Sequence, residues 1–223
     1  MVWHNGGSVT STTSEFDALR ERALICTQCV LAETRTNVVF GVGHRSARLM
    51  IVGEAPGKNE DLQGEPFVGP AGLLLDELLA GIDIARPEVY IANVLKCRPP
   101  ANRDPKPDEI ETCKPYLQEQ IRMIRPEVVM TLGNFATKLL LRTDTGITRL
   151  RGQRYDWWLG ATLIPTFHPA AALRGGEIVK DQMREDFALV RAVLDSTPTA
   201  EGQSSSDPKS DREVSGSQME LFP

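Results

Sequence analysis

Four times along the chain a short apolar run leads into a turn rich in Gly, Pro or polar residues, and then into a segment with helical periodicity. "RLMIV" (48–52) precedes "GEAPG" and a helix at "AGLLLDELLAGI". "VYIANV" (89–94) precedes a proline-rich loop and a helix that starts near "PDEI". "EVVMTL" (127–132) precedes "GNFATKLLL", and "TLIPTF" (162–167) precedes "HPAAALRG" and a helix near 178–194. In that last helix Met183, Phe187, Val190 and Leu194 recur on one face. Such alternation predicts an α/β fold of three layers, α/β/α, around a mainly parallel central sheet. Ligands of open parallel sheets bind beyond the carboxyl ends of the strands. The turns "GEAPG", "NVLKC", "TLGN" and "TFHP" are therefore expected to share one rim.

The 223 residues suffice for one well-cored domain and a tail. Residues 1–14 read as a flexible lead-in, 15–194 as the domain and 195–223 as a disordered acidic tail. A helix from about Glu15 to Ile25 delivers Cys26. No apolar run approaches the roughly 20 residues that span a bilayer, and "MVWHNGGSVTSTTSEF" lacks the apolar core of a signal peptide. A cytoplasmic, reducing setting follows as the expectation, in which the four cysteines do not form a disulfide scaffold. The formal net charge is −5, and the segment from Asp195 onward carries −4 of it. A near-neutral body with a cationic lip remains compatible with a phosphate backbone.

That lip is "KCRPPANRDPKPDEIETC" (96–113), where Lys96, Arg98, Arg103 and Lys106 face only Asp104 in the first part. They are candidate phosphate contacts. Pro99, Pro100, Pro105 and Pro107 exclude a helix for much of the stretch, so something else must hold it. Cysteines stand near both ends, Cys97 and Cys113, and the remaining two form "CTQC" at Cys26 and Cys29. Four soft thiolates are enough to close a metal site. Structural zinc favours two close pairs, whereas iron–sulfur clusters tolerate uneven spacing, and the spacing alone leaves both open.

"GEAPGKNEDLQGEPFVGPAG" (53–72) follows a strand with exposed backbone donors, yet it is neither a Walker A loop nor a dinucleotide fingerprint. Glu54, Glu60 and Asp61 cluster there, and Phe67 offers a face for stacking. His168 ends a strand and is held by Pro169, a position on the ligand-binding rim. His4 and His44 have no companion motif.

Taken together, "CTQC", "GEAPGKNEDLQGEPFVGPAG", "YIANVLKCRPPANRDPKPDEIETC" and "HPAAALR" resemble the family 4 uracil-DNA glycosylases over about residues 20–194. The resemblance implies the uracil-DNA glycosylase-like fold and a bacterial or archaeal DNA-repair enzyme that releases uracil. It also implies a [4Fe-4S] cluster on Cys26, Cys29, Cys97 and Cys113. It places the aromatic that stacks on the extruded base at Phe67, the amide that reads the base edge at Asn93, and the histidine beside uracil O2 at His168. Glu54, the backbone of Ala55 and Glu60 fall at pocket positions. The stretch after His168, with Ala171 and Arg174, corresponds to the loop that probes the DNA groove. Two departures stand out: Lys58-Asn59 where acidic residues are common, and Ala172 where a larger apolar wedge is common.

On this reading His168 and Glu54 carry catalysis in a monofunctional, monomeric enzyme acting on double- or single-stranded DNA, since no lysine nucleophile is evident. Relatives that trap uracil covalently carry a histidine in the loop after the second strand, and none lies between Val94 and Cys113. The competing expectation is a uracil-DNA binder or cluster-bearing adaptor without turnover. "QMELF" (218–222) resembles the peptide by which bacterial DNA proteins dock on the sliding clamp, with Gln218, Met219, Leu221 and Phe222 as its anchors.

Overall fold

The structure is a computed structural model that describes the backbone of residues 9–196 and side chains from Ser14 onward. Among the described residues, six strands form one mixed sheet, with eight helices against it. In chain order these are α1 (Val9–Leu24), β1 (Val42–Gly43), β2 (Leu49–Gly53), α2 (Lys58–Gln63), α3 (Pro70–Ala80), β3 (Tyr90–Asn93) and α4 (Pro107–Ile124). There follow β4 (Val128–Leu132), α5 (Asn134–Leu141), α6 (Ile147–Leu150), β5 (Tyr155–Asp156), β6 (Thr162–Thr166), α7 (Pro169–Gly175) and α8 (Glu177–Ser196).

The order across the sheet is β1-β3-β2-β4-β6-β5, with the inner four strands parallel and the two-residue edge strands antiparallel. The inner strands are the four apolar runs read from the sequence. They are buried almost throughout, as strands covered on both faces must be. Side chains alternate between two cores. Met50, Val52, Ala92, Val129 and Leu163 face the layer of α1, α4 and α5. Leu49, Ile51, Ile91, Val128, Met130 and Ile164 face α3 and α8. The expected face of α8 is present: Met183, Phe187, Val190 and Leu194 are all buried. No described helix is long and apolar enough to cross a membrane.

Two local expectations are corrected. Helix α1 begins at Val9, inside the stretch expected to be a lead-in. Ser and Thr cost only a few tenths of a kcal/mol each in a helix, so α1, anchored on α4 by Phe16 and Leu19, extends through them. "HPAAALRG" is no loop but the short helix α7, for which Pro169 takes the first position and His168 the cap. The tail from 197, with Gln218, Met219, Leu221 and Phe222, lies outside the described residues.

Register brings the rim together. Gly53 pairs with Asn93, and Leu132 pairs with Thr166. The β2–β3 ladder continues past the strands, with Val94 N–H on Gly53 O (2.9 Å) and Leu95 N–H on Glu54 O (3.0 Å). All four expected turns therefore open at the carboxyl edge.

Candidate active site and cysteine centre

At that edge lies a cavity of about 310 Å³ lined by Glu54, Ala55, Glu60, Phe67, Asn93 and His168, among others. The residues read as pocket positions from the sequence thus meet in one place. Their geometry depends on Gly53: a Cβ there would stand 2.4 Å from Asn93 Oδ1 and 2.6 Å from Phe67 Cζ. Any side chain at this position would drive the amide and the ring apart.

Phe67 is buried and adopts a left-handed backbone, φ 52°, which costs roughly 1–2 kcal/mol for a residue with a side chain. Arg86 holds it there, donating from Nη2 to the carbonyls of Pro66 (2.7 Å) and Phe67 (3.2 Å) while Nη1 pairs with Asp76 (2.8 Å). Glu60 Oε1 accepts from the Val68 N–H at 3.0 Å, so this carboxylate also ties down the loop that carries Phe67. Asp61 is structural, its Oδ1 accepting from the backbone N–H groups of Thr36 and Asn37.

Asn93 is buried in the cavity wall. Its Oδ1 is the one buried side-chain polar atom among the described residues that has no hydrogen-bond partner. A buried acceptor left unpaired costs about 1–3 kcal/mol. A ligand that presents an N–H to this oxygen would recover that cost.

His168 faces Phe67, with ring centroids 5.6 Å apart. The N–H of Ala170 donates to His168 Nδ1 at 3.2 Å, capping α7. Burial, reinforced by the nearby positive charge of Arg174, lowers the imidazole to about 4. The neutral ring with Nδ1 occupied as an acceptor carries its proton on Nε2, which leaves a donor for a ligand. Gly133 (φ 92°) makes room, since a Cβ there would come within 3.0 Å of His168 Cβ. Glu54 is half-buried, and burial followed by repulsion from Asp104 raises its carboxyl above the ordinary range.

A wider cleft of about 990 Å³ adjoins the cavity and shares Glu54, Ala55 and His168 with it. Ala171 and Arg174 line it. So do Lys138 and Arg142, one helical turn apart on and just beyond α5, together with Asp104 and Asp144. Sequence reasoning missed both cations, because "GNFATKLLLR" reads as an ordinary amphipathic helix. One groove assignment needs correction. Lys96 is not a surface cation: it is fully buried, donating to Asn93 O (2.8 Å) and Gln120 Oε1 (2.7 Å), and burial lowers its amine to about 7. Ala172 is buried in the core under α7 and cannot act as a wedge; the exposed apolar residue of this turn is Leu173. Among the remaining loop cations, Arg103 pairs with buried Glu109, Arg98 bonds Asn102, and Lys106 is exposed.

Cys26, Cys29, Cys97 and Cys113 line one small cavity between the end of α1 and the start of α4. Arg35 Nη1 donates to Cys97 Sγ and the Lys96 N–H donates to Cys113 Sγ, each at 3.2 Å. Arg35 also holds Cys26 O (2.6 Å); nothing in the sequence marks it. Burial raises the Cys97 and Cys113 thiols, the latter to about 12. Among the described residues, no group of three or more His, Cys, Asp or Glu side chains is set as a site for a single metal ion.

A family model described as the uracil DNA glycosylase superfamily matches residues 40–189. The chain is 47% identical over 178 residues to a type-4 uracil-DNA glycosylase of Archaeoglobus fulgidus, covering 77% of this chain and 86% of the relative. It is 48% identical over 161 residues to the type-4 uracil-DNA glycosylase of Thermotoga maritima, covering 71% and 83%. Against that of Sulfurisphaera tokodaii the identity is 44% over 185 residues, covering 79% and 84%.

The titration of His168 gives a measurable consequence. Its folded value, about 4, lies below the ordinary 6.5, so the unfolded chain binds the extra proton first. Stability from this group is fully present above pH 6.5 and is lost as pH falls toward 4. Proton NMR of the ring should place its titration near pH 4, and His168→Ala should flatten that segment of the stability curve. Titration at the ordinary histidine value would refute the neutral assignment.

Proposed function

This chain belongs to the uracil-DNA glycosylase superfamily. On that premise we propose that it is a monofunctional glycosylase that extrudes uracil from DNA and hydrolyses its N-glycosidic bond. The products are free uracil and an abasic site, as at the start of base excision repair. The observation that carries the reading is the unpaired Asn93 Oδ1 in a cavity walled by Phe67 and His168. Uracil N3–H would satisfy that oxygen. Cytosine, with an acceptor at N3, would leave two acceptors facing each other, a strong basis for rejection.

A base within a duplex is out of reach, so it must be flipped at a cost of a few kcal/mol, least at a mismatch. Stacking on Phe67 returns ~1–3 kcal/mol. As the bond from the base to the sugar C1′ breaks, the electron pair leaves with the base and negative charge grows on O2. The neutral His168 donates from Nε2 to that oxygen, an interaction stronger in the transition state than in the substrate. Glu54, at the junction of cavity and cleft, stabilises the cationic sugar when ionised. Water then delivers hydroxyl to C1′, and its proton is left for the departing base. No lysine lines the cavity among the described residues, which supports hydrolysis without strand nicking. Arg98, Arg103, Lys106, Lys138, Arg142 and Arg174 are the assigned phosphate contacts, and Ala171 and the apolar Leu173 are assigned to the groove.

Cys26, Cys29, Cys97 and Cys113 are assigned to a [4Fe-4S] cluster. The donor set supports this: four soft thiols around one cavity, two of them receiving N–H bonds at sulfur. Such a cluster supplies cross-links between the segments that carry its ligands and stabilises thiolates that burial alone disfavours. The catalytic unit is assigned to 15–194. Gln218, Met219, Leu221 and Phe222 are assigned to docking on the bacterial sliding clamp.

Three measurements test these assignments. Purified protein should release uracil from U:G, U:A and single-stranded oligonucleotides, and His168→Ala should slow release by about 10²–10³-fold while retaining DNA binding. Binding without release by the wild type would instead favour the non-catalytic reading. Anaerobically purified protein should be brown and contain about four irons per chain; a colourless zinc protein would refute the cluster. Sliding clamp should retain the full chain but not a variant lacking 218–223, and equal retention would remove the tail assignment.

A further inference from the structure

We propose that Lys96 is a positioning residue for base recognition, a buried strut between the cysteine centre and Asn93; this rests on the glycosylase reading above. Asn93 must keep one orientation to read a base. Its amide oxygen has no partner within the protein, so no hydrogen bond at that atom aims it at a base. Orientation must therefore come from the backbone that carries it.

That backbone is fixed at both ends of a single peptide group. The Val94 N–H donates to Gly53 O at 2.9 Å, and the Asn93 carbonyl accepts from Lys96 Nζ at 2.8 Å. The first bond is a continuation of the sheet. The second is made by a side chain that reaches back three residues, so the turn leaving β3 is closed by the lysine itself. The amine can donate to this carbonyl whether or not it is protonated, and a hydrogen bond in a dry interior is electrostatically stronger than one in water.

The amine is in turn located by α4. Gln120 accepts from Nζ at 2.7 Å and uses its own Nε2 to hold Phe40 O (2.8 Å) and the Tyr90 hydroxyl (3.1 Å). Lys96 is also bonded through its backbone, its N–H donating to Cys113 Sγ on the same helix. Cys113 and Gln120 are about two helical turns apart. One rigid helix thus sets both the cysteine end and the amine end of a residue that touches Asn93. A surface lysine could be replaced without consequence for recognition; a buried strut cannot.

The test uses discrimination between free uracil and 3-methyluracil as inhibitors of uracil release. Only uracil has the N3–H that Asn93 Oδ1 accepts, so the ratio of their inhibition constants reports on the aim of Asn93. Lys96→Met, which fills the site without a donor, should reduce that ratio by about tenfold, the worth of one net hydrogen bond, with iron content unchanged. Lys96→Gln, a shorter neutral donor, reads the same ratio if the methionine variant does not fold, and should give an intermediate value. Loss of stability alone would lower the active fraction and leave the ratio untouched. Wild-type ratios in folded variants overturn the inference while leaving the function intact. A wild-type protein that neither releases nor binds uracil removes the function and this inference together.

Discussion

The parallel pairing of β2 with β3, in the register that sets Gly53 opposite Asn93, is the constraint on which the site depends. It brings the ends of two strands to the same level, and the ladder carries on beyond them through Val94 and Leu95. Because Gly53 has no side chain, the Phe67 ring and the Asn93 amide can both approach the space where its Cβ would stand. A shift by one residue would turn Asn93 to the other face and reverse every apolar position of the strand. The separation of Met50 and Val52 from Leu49 and Ile51 into two different cores guards against that shift.

The site accumulates unfavourable choices that a stable core offsets. Phe67 holds a left-handed backbone, Asn93 keeps an unpaired oxygen, His168 is desolvated, and Glu54 sits near Asp104. Each opposes folding and each leaves a group ready for a ligand. Their supports are ordinary by comparison: Arg86 on two carbonyls, Glu60 on one N–H, Gly133 beside an imidazole. Much of the order of the cavity therefore comes from these supports.

Much of this was legible in the sequence. The four inner strands carry continuous apolar runs, and the turns after them share a rim because parallel strands all end on the same side. Glu54, Phe67, Asn93 and His168 were assigned to the pocket through the family resemblance, and the fold brings them to one cavity. What escaped depended on orientation in three dimensions. The two-residue strands β1 and β5 are too short for any periodicity. Lys96 carries the charge of a surface residue, and only its position over α4 shows that it points inward. Ala172 and Leu173 are adjacent in a segment read as loop, and the helix found there turns one into the core and the other outward. Lys138 and Arg142 declare themselves only when α5 is seen to border the cleft.

The antiparallel strands at the two edges matter beyond the site. Each pairs over only two residues with the outermost parallel strand. A sheet of long apolar parallel strands left open at its sides would offer rows of unpaired amides to any other chain. Here the flanks end in stubs, one of them formed by Val42 and Gly43 directly after Gly41, both glycines with φ near 130°. Such stubs give a neighbouring molecule little to zip onto. The same sheet that gathers the candidate site at one end thus closes at its sides in edges too short to template a long pairing.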